Sequence, residues 1–187
     1  MGIDVQNINS ANLPKQFHDD RFSFMFIATD NKDRGVRLNG SGEVRNKIIA
    51  SARGEWVAFV DDDDTISPYY VEWLEDGLLE EKKRHEKRVD LVLFRMRRMG
   101  RSPVLPPFSD GGRAHKNRVG ISFAVRRNLF VSDKVAFFPD KFEDYNLLKT
   151  AYKSGINMKI ANCVAYFVNS SPEVLPGSCS LSNNTIA

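Results

Sequence analysis

Short apolar runs alternate with helix-forming segments over the first half of the chain, and this alternation restricts the possible folds more than any other feature. The apolar runs, at 22–29, 55–60 and 89–96, are predicted buried strands. The helical segments are 43–53 and a stretch that begins at Ser67–Pro68 and continues to the mid-eighties. Alternation of this kind predicts an α/β fold with a mostly parallel central sheet flanked by helices.

The second half of the chain continues the pattern. Strands are predicted at 119–127 and 157–168, with a helix at 140–155 between them. Asp140 and Glu143 have the spacing of a capping box at the start of that helix. Since a capping box occupies its glutamate, Glu143 already has a structural interpretation.

The 187 residues are predicted to form one domain. That domain covers 21–168, after a polar extension at 1–20 and before a polar tail at 169–187, which is expected to be mobile. Within the domain, the segment 100–118 is rich in Pro and Gly and predicts a long surface loop.

Charge and cysteine content narrow the possible partners. The formal net charge of +3 does not require a nucleic-acid partner, and none is expected. The basic stretches 80–88 and 95–101 favour either solvated surfaces or a positive rim for phosphates or an anionic membrane, so peripheral membrane contact stays open. Cys163 and Cys179 lack a paired spacing, and no apolar run is long enough to span a bilayer. Unpaired cysteines in a cytoplasmic protein are therefore expected.

Four consecutive aspartates, Asp61–Asp64, follow the apolar run 55–60 directly. We call them the aspartate run. While the chain stays extended, Asp61 and Asp63 point to one side, so that they offer two carboxylates to one site. Hard oxygen ligands of this kind suit Mg²⁺ or Mn²⁺, which substrate phosphates often complete. The alternative interpretation is an acidic turn that only water solvates.

The order of these features resembles the family 2 glycosyltransferases of GT-A fold. The resemblance rests first on consecutive motifs at Gly40–Gly42, Arg45–Asn46, Gly54–Glu55, Trp56–Val60 and Asp61–Asp64. Downstream, the segments 120–130 and 137–155 resemble the strand and the Glu-Asp helix start of the same family. The resemblance covers 21–168.

The resemblance implies an inverting, metal-dependent transfer of a sugar from a nucleotide-diphosphate sugar, with a UDP-sugar favoured. The acceptor is expected to be a hydroxyl group on a glycan, a glycolipid or another compound. By the same resemblance, Asp63 binds Mn²⁺ or Mg²⁺ together with Asp61, while Asp61 and Asp62 contact the ribose side of the donor. Asp64 is expected to matter least.

The resemblance also assigns the catalytic base. Asp144 is the favoured base and Glu143 its neighbour or alternate. Arg45 is expected to reach the nucleotide or its phosphates, unless it is an ordinary surface arginine of a helix. Thr29 and Asp30 are expected to meet the base or ribose of the nucleotide, unless they form a plain turn.

One part of the family pattern is absent from the sequence. Only about fifteen positions separate Asp30 from Arg45, which is too few for the strand–helix–strand unit that normally precedes the glycine loop. The nucleotide-binding half of the site is therefore expected to be abbreviated or built differently. Two further functions stay open: a metal-dependent nucleotidyl- or phosphotransferase, and a non-catalytic domain that binds a nucleotide sugar or glycan.

Overall fold

The computed structural model describes most of the chain from residue 41 onwards. The described residues are 2–4, 25–27, 41–85, 88–98, 101–108, 114–132, 134–138, 140–169 and 179–183. The predicted nucleotide contacts Thr29 and Asp30 lie outside them.

The described residues form nine strands and four helices. The strands are β1 (Gly2–Asp4), β2 (Met25–Ile27), β3 (Trp56–Ala58), β4 (Thr65–Ile66), β5 (Leu91–Arg98), β6 (Arg101–Leu105), β7 (Phe123–Arg126), β8 (Met158–Val168) and β9 (Leu181–Asn183). The helices are α1 (Ser41–Ser51), α2 (Tyr70–His85), α3 (Arg127–Val131) and α4 (Glu143–Lys153).

Seven of the described strands form one sheet in the order β3-β7-β5-β8-β4, with β6 added beside β5 and β9 beside β8. β5 and β8 pair in parallel, and every other pair in this sheet is antiparallel. Because β7 runs antiparallel to both β3 and β5, the strands β3, β5 and β8 all point the same way. Their carboxyl ends therefore meet at one edge of the sheet.

Alternation along β5 shows how the two faces of the sheet are covered. Leu91 and Leu93 belong to an apolar cluster that includes residues of α1, α3 and α4. Val92 and Phe94 belong to a second cluster, which includes residues of α2 and β9. All four side chains are essentially inaccessible to water, so β5 is covered on both faces. The helices α1 and α4 consequently lie on the same face of the sheet.

The predicted α/β architecture is confirmed, but the strand directions are mixed rather than mostly parallel. The reason is that strand 123–126 enters between β3 and β5 with opposite direction. The predicted loop 100–118 contains β6, which forms a hairpin with β5. Part of the predicted tail, 181–183, pairs with β8. Residues 2–4 of the polar extension pair in parallel with β2 in a separate sheet of two strands.

The expectation of unpaired cysteines is wrong. Cys163 on β8 and Cys179, just before β9, form a disulfide with their Cα atoms 5.2 Å apart. The antiparallel pairing of β8 and β9 brings the two residues together, although sixteen positions separate them in sequence. The cysteines therefore no longer support the prediction of a cytoplasmic protein. Within the described residues, no helix has the length and hydrophobicity needed to cross a membrane.

Candidate functional site

The aspartate run forms a turn at the carboxyl end of β3 and is not extended, so the alternation that predicted Asp61 and Asp63 on one side does not apply. The backbone N–H of Asp64 donates to the carbonyl of Asp61 over 3.1 Å, which closes the turn. The chain then enters β4, which pairs with the end of β8 on the other side of the sheet. The run therefore crosses the edge where β3, β5 and β8 end, which is the edge at which α/β sheets bind ligands.

Residues at the end of β8 form hydrogen bonds with the first and the last residue of this turn. The hydroxyl of Tyr166 accepts the backbone N–H of Asp61 over 3.2 Å and also forms a hydrogen bond with the carboxylate of Asp64. A second donor to Asp64 is the backbone N–H of Asn169, at 2.9 Å. Burial is the main reason why the pKa of Tyr166 is raised, so its hydroxyl remains protonated at neutral pH. The shape of the turn is thus fixed by a strand that lies far away in sequence.

Arg45 on α1 joins the turn to the start of α4. Its guanidinium forms ion pairs with Asp61 at 2.6 Å, with Asp144 at 3.4 Å and with Glu143. We call these four residues the Arg45 cluster. The side chains of Arg45 and Glu143 are only 11% and 6% exposed, whereas Asp61 is 42% exposed. The cluster therefore has a buried ion pair at its base and an aspartate that faces water.

Packing around Phe137 sets the position of Arg45. The neighbouring Asn46 makes two hydrogen bonds with the backbone of Phe137, one to its carbonyl at 2.8 Å and one from its N–H at 3.1 Å. The guanidinium of Arg45 lies 5.4 Å from the centre of the Phe137 ring. Gly42 provides the remaining space, since a Cβ there would lie 2.5 Å from the Oε2 atom of Glu143.

The charges in the Arg45 cluster do not balance. One guanidinium faces three carboxyl groups, which gives a formal charge of −2 if all are ionised. Burial raises the pKa of Asp144 to about 6, Arg45 opposes this shift, and the charges of Glu143 and Asp61 add to it. Asp144 is therefore a carboxylate at neutral pH that accepts a proton more readily than an ordinary aspartate.

Asp62 and Asp63 are exposed at the tip of the turn. The described part of the chain contains no group of three or more His, Cys, Asp or Glu side chains arranged around a metal position. A divalent ion would therefore fit the aspartate run only if other oxygen atoms completed its coordination. Mg²⁺ commonly binds in this way, through one or two carboxylates and the phosphates of a substrate.

Four of the eight candidate site residues are brought together. Arg45 contacts Asp61, Glu143 and Asp144 directly, although 98 and 99 positions separate it from the last two. The sequence reasoning missed Tyr166. It lies in a strand that was recognised only as apolar, and nothing local in the sequence marks its hydroxyl.

The predicted capping box is not formed. Helix α4 begins at Glu143, its N-cap is Phe142, and no side chain caps it. Asp140 instead bonds to the backbone N–H of Phe142 and to the amide of Asn146. The carboxylate of Glu143 is turned towards Arg45, because a buried guanidinium is a stronger partner than a terminal backbone N–H.

Comparison with known proteins gives three findings. A family described as "Glycosyl transferase family 2" matches residues 33–104. The protein named "Putative glycosyltransferase EpsH" from Bacillus subtilis (strain 168) is 61% identical over 49 residues, which is 25% of this chain and 14% of that protein. The identity is therefore high, but it is confined to a short segment.

Solved structures of S. aureus TarS are similar in fold. TarS 1-349 has a TM-score of 0.56 at 16% identity, covering 78% of this chain and 43% of that chain. TarS 1-349 in complex with UDP-GlcNAc has a TM-score of 0.57 at 16% identity, covering 84% of this chain and 44% of that chain. The likeness confirms the predicted GT-A class of fold. The chain spans less than half the length of the relatives it matches.

Proposed function

We propose that this chain, whose residues 33–104 match glycosyl transferase family 2, transfers a sugar from a nucleotide-diphosphate sugar to a hydroxyl acceptor. A UDP-sugar is the favoured donor, because one of the structures with the same fold is a complex with UDP-GlcNAc and another is a complex with UDP. The acceptor class is a glycan, a glycolipid or another hydroxyl compound, and the transfer is inverting.

The observation that carries this proposal is the Arg45 cluster. It joins a carboxylate at a strand end, Asp61, to a carboxylate at a helix start, Asp144, through one guanidinium. Sugar transfer by inversion needs these two kinds of group close together: one that binds the donor diphosphate with its cation, and one that takes a proton from the acceptor. An acidic turn that is only solvated needs no such connection to a distant helix.

The donor side is assigned to the aspartate run. Asp61 and Asp63 would hold Mn²⁺ or Mg²⁺ together with the donor phosphates, and Asp61 with Asp62 would contact the ribose side. When bound, such an ion neutralises charge on the departing diphosphate. Asp64 has a supporting role through its bonds to Asn169 and Tyr166, which keep the turn in shape.

The acceptor side is assigned to Asp144. Its carboxylate takes the proton of the acceptor hydroxyl while that oxygen bonds to the anomeric carbon. The bond from the anomeric carbon to the diphosphate oxygen breaks, and the nucleoside diphosphate leaves with both electrons. A pKa of about 6 suits this step, because the group is ionised at neutral pH and still basic enough to hold the proton.

Glu143 and Arg45 are assigned to positioning. Glu143 is the more buried of the two carboxylates, at 6% exposure against 26% for Asp144, so it is less accessible to an acceptor hydroxyl than its neighbour. Arg45 already has three carboxylate partners, which leaves its guanidinium less available to phosphates than the sequence predicted. Its main task is then to orient Asp144 and Asp61 relative to each other.

The first experiment tests donor binding. Calorimetric titrations with UDP-, GDP- and dTDP-sugars, with and without Mn²⁺ or Mg²⁺, should show metal-dependent binding of one nucleotide class. Asp63→Ala should remove the metal dependence. If no donor binds in the presence of either ion, the proposed function is wrong, and unchanged metal dependence in the variant would move the ion to other residues.

The second experiment tests the base with a matched control. Asp144→Asn should retain donor binding and lose transfer, whereas Asp140→Asn, the same change four positions earlier, should retain both. In the unsubstituted protein the transfer rate should rise with pH through about 6, as Asp144 loses its proton. A nucleotidyl- or phosphotransferase would not need this base, so full activity of Asp144→Asn would favour that alternative. Donor binding without any turnover would favour the non-catalytic alternative.

A further inference from the structure

Lysines lie on the outer surface of α4 and just before it, and the described residues place no carboxylate within ion-pair distance of them. Tyr145, Lys149 and Lys153 are spaced by four positions, so they follow one face of the helix, and Lys141 precedes them by four. All three lysines are exposed. The ammonium group of Lys149 lies 5.9 Å from the centre of the Tyr145 ring. We call Lys141, Lys149 and Lys153 the lysine ridge.

A lysine from another segment extends the ridge at the amino end of α4. The ammonium groups of Lys116 and Lys141 lie 3.9 Å and 5.6 Å from the centre of the same ring, that of Phe142. Two like charges are thus held next to one aromatic side chain, which is the residue immediately before Glu143. The ridge therefore starts beside the Arg45 cluster, just before α4, and continues along the helix to Lys153, over about 15 Å at 1.5 Å per residue.

Several surface bases on two other helices have carboxylate partners. On α1, Lys47 pairs with Glu43 at 2.7 Å, and on α2, Lys83 and Arg84 both pair with Glu80. After Asp144, α4 contains no acidic residue at all. Among the described residues, no carboxylate lies within ion-pair distance of Lys116 or of the lysine ridge. The positive charge of this surface is therefore available to an external anion.

We propose that the lysine ridge and Lys116 bind the anionic portion of the acceptor, which is a hydroxyl compound with repeated negative charges, phosphate or carboxylate. Lysines one helical turn apart match charges that recur along a chain, and Tyr145 offers an apolar surface between them. A chain that lies along α4 reaches Asp144 at the amino end of the helix, where its hydroxyl can lose a proton. The inference rests on the proposed function and names the acceptor class of the same site.

The test compares two triple variants with equal changes of charge. In the ridge variant, Lys141, Lys149 and Lys153 are replaced by Gln. In the control variant, Lys82, Lys83 and Arg84 are replaced by Gln, because they are exposed on α2 at the opposite face of the sheet. Circular dichroism melting of both proteins checks that they fold. The probes are inorganic polyphosphate, polygalacturonate and vesicles of phosphatidylcholine and phosphatidylserine. The vesicles contain about 30% phosphatidylserine, which gives them a negative surface like that of a cytoplasmic leaflet.

The ridge variant should bind polyphosphate or polygalacturonate at least tenfold more weakly than the control variant, with a shallower dependence of affinity on salt. The stronger of the two polymers identifies the charged group of the acceptor. Equal polymer affinity of the two variants would overturn the inference. So would loss of vesicle binding alone in the ridge variant, because the ridge would then contact a membrane. Donor binding is measured in parallel, since its absence refutes the proposed function and its presence leaves the polymer result to decide on the ridge.

Discussion

Replacing Arg45 by Met should destabilise the protein strongly, because it removes the guanidinium that pairs with a buried carboxylate. Glu143 is 6% exposed and loses its ion pair with a guanidinium that is itself 11% exposed. Removal of one partner of a buried pair costs about 3–5 kcal/mol of unfolding free energy. Asp61 is 42% exposed, so water screens it and its share of the loss is small. The main cost therefore arises at Glu143 and Asp144.

The matched control is Lys47→Met on the same helix. Lys47 also forms an ion pair, with Glu43 at 2.7 Å, but its side chain is 45% exposed and that of its partner 58%. Exposed pairs four positions apart contribute about 0.3–0.5 kcal/mol. Both substitutions remove one positive charge from the same helix and introduce the same residue. The difference between their effects on the free energy of unfolding therefore reports the burial of the ion pair rather than helix propensity or net charge.

The assay is urea unfolding followed by tryptophan fluorescence at pH 5 and pH 8, with free energies from linear extrapolation. Arg45 lowers the pKa of Asp144, so its removal should move that pKa further above about 6. When folding raises the pKa of a carboxyl group, the free energy of unfolding falls as pH rises from the pKa of the unfolded state to that of the folded state. The deficit of Arg45→Met should consequently be larger at pH 8 than at pH 5.

A second substitution tests the assigned cause. Adding Glu143→Gln to Arg45→Met removes the buried charge that the first change leaves behind, and should recover a large part of the lost stability. If Arg45→Met costs no more than Lys47→Met, or if its deficit does not depend on pH, the Arg45 cluster is not the electrostatic unit described above.

Two further substitutions probe the supports of the site. Tyr166→Phe should lower the free energy of unfolding by about 1–3 kcal/mol and weaken metal-dependent donor binding, because a backbone N–H of the aspartate run loses its acceptor. The control is Tyr70→Phe, which should leave the free energy of unfolding almost unchanged. The buried Tyr70 hydroxyl has no hydrogen-bond partner among the described residues. Equal effects of the two changes on urea unfolding and UDP binding would refute the role of Tyr166. Gly42→Ala should cost about 1–3 kcal/mol and reduce transfer, because the new Cβ would lie 2.5 Å from the Oε2 atom of Glu143. An unchanged melting temperature would show that Glu143 can move away freely.

Helices and strands were predictable from the sequence where the local pattern of apolar residues determines them. The apolar run 89–96 and the periodic segment 140–155 correspond to β5 and α4 within a few residues. Strand direction was not predictable, because the path by which 123–126 enters the sheet depends on contacts between distant segments. The same reason explains the disulfide: the antiparallel pairing of β8 and β9, rather than any spacing motif, brings its two cysteines together.

In the candidate site, too, the features set by neighbours in sequence were predictable and those set by distant contacts were not. The position of the aspartate run at a strand end followed from the sequence, since an apolar strand followed by charge can end only at the surface. The capping interpretation of Glu143 failed because it considered only neighbours in sequence. In the structure its partner, Arg45, lies 98 positions away. The role of Tyr166 needed a contact across 105 positions, which a pattern in a single sequence does not reveal.

The distribution of charge makes the proposed cation and the proposed acceptor depend on each other. The Arg45 cluster carries a formal charge of −2, and the exposed Asp62 and Asp63 add to it. A diphosphate would be repelled from this edge unless a divalent ion accompanied it, and an anionic acceptor would be repelled as well. The lysine ridge begins at Lys141, three positions before Asp144, where it can compensate for that repulsion on the acceptor side. Donor and acceptor would then approach the same carboxylates from two sides, each with its own source of positive charge.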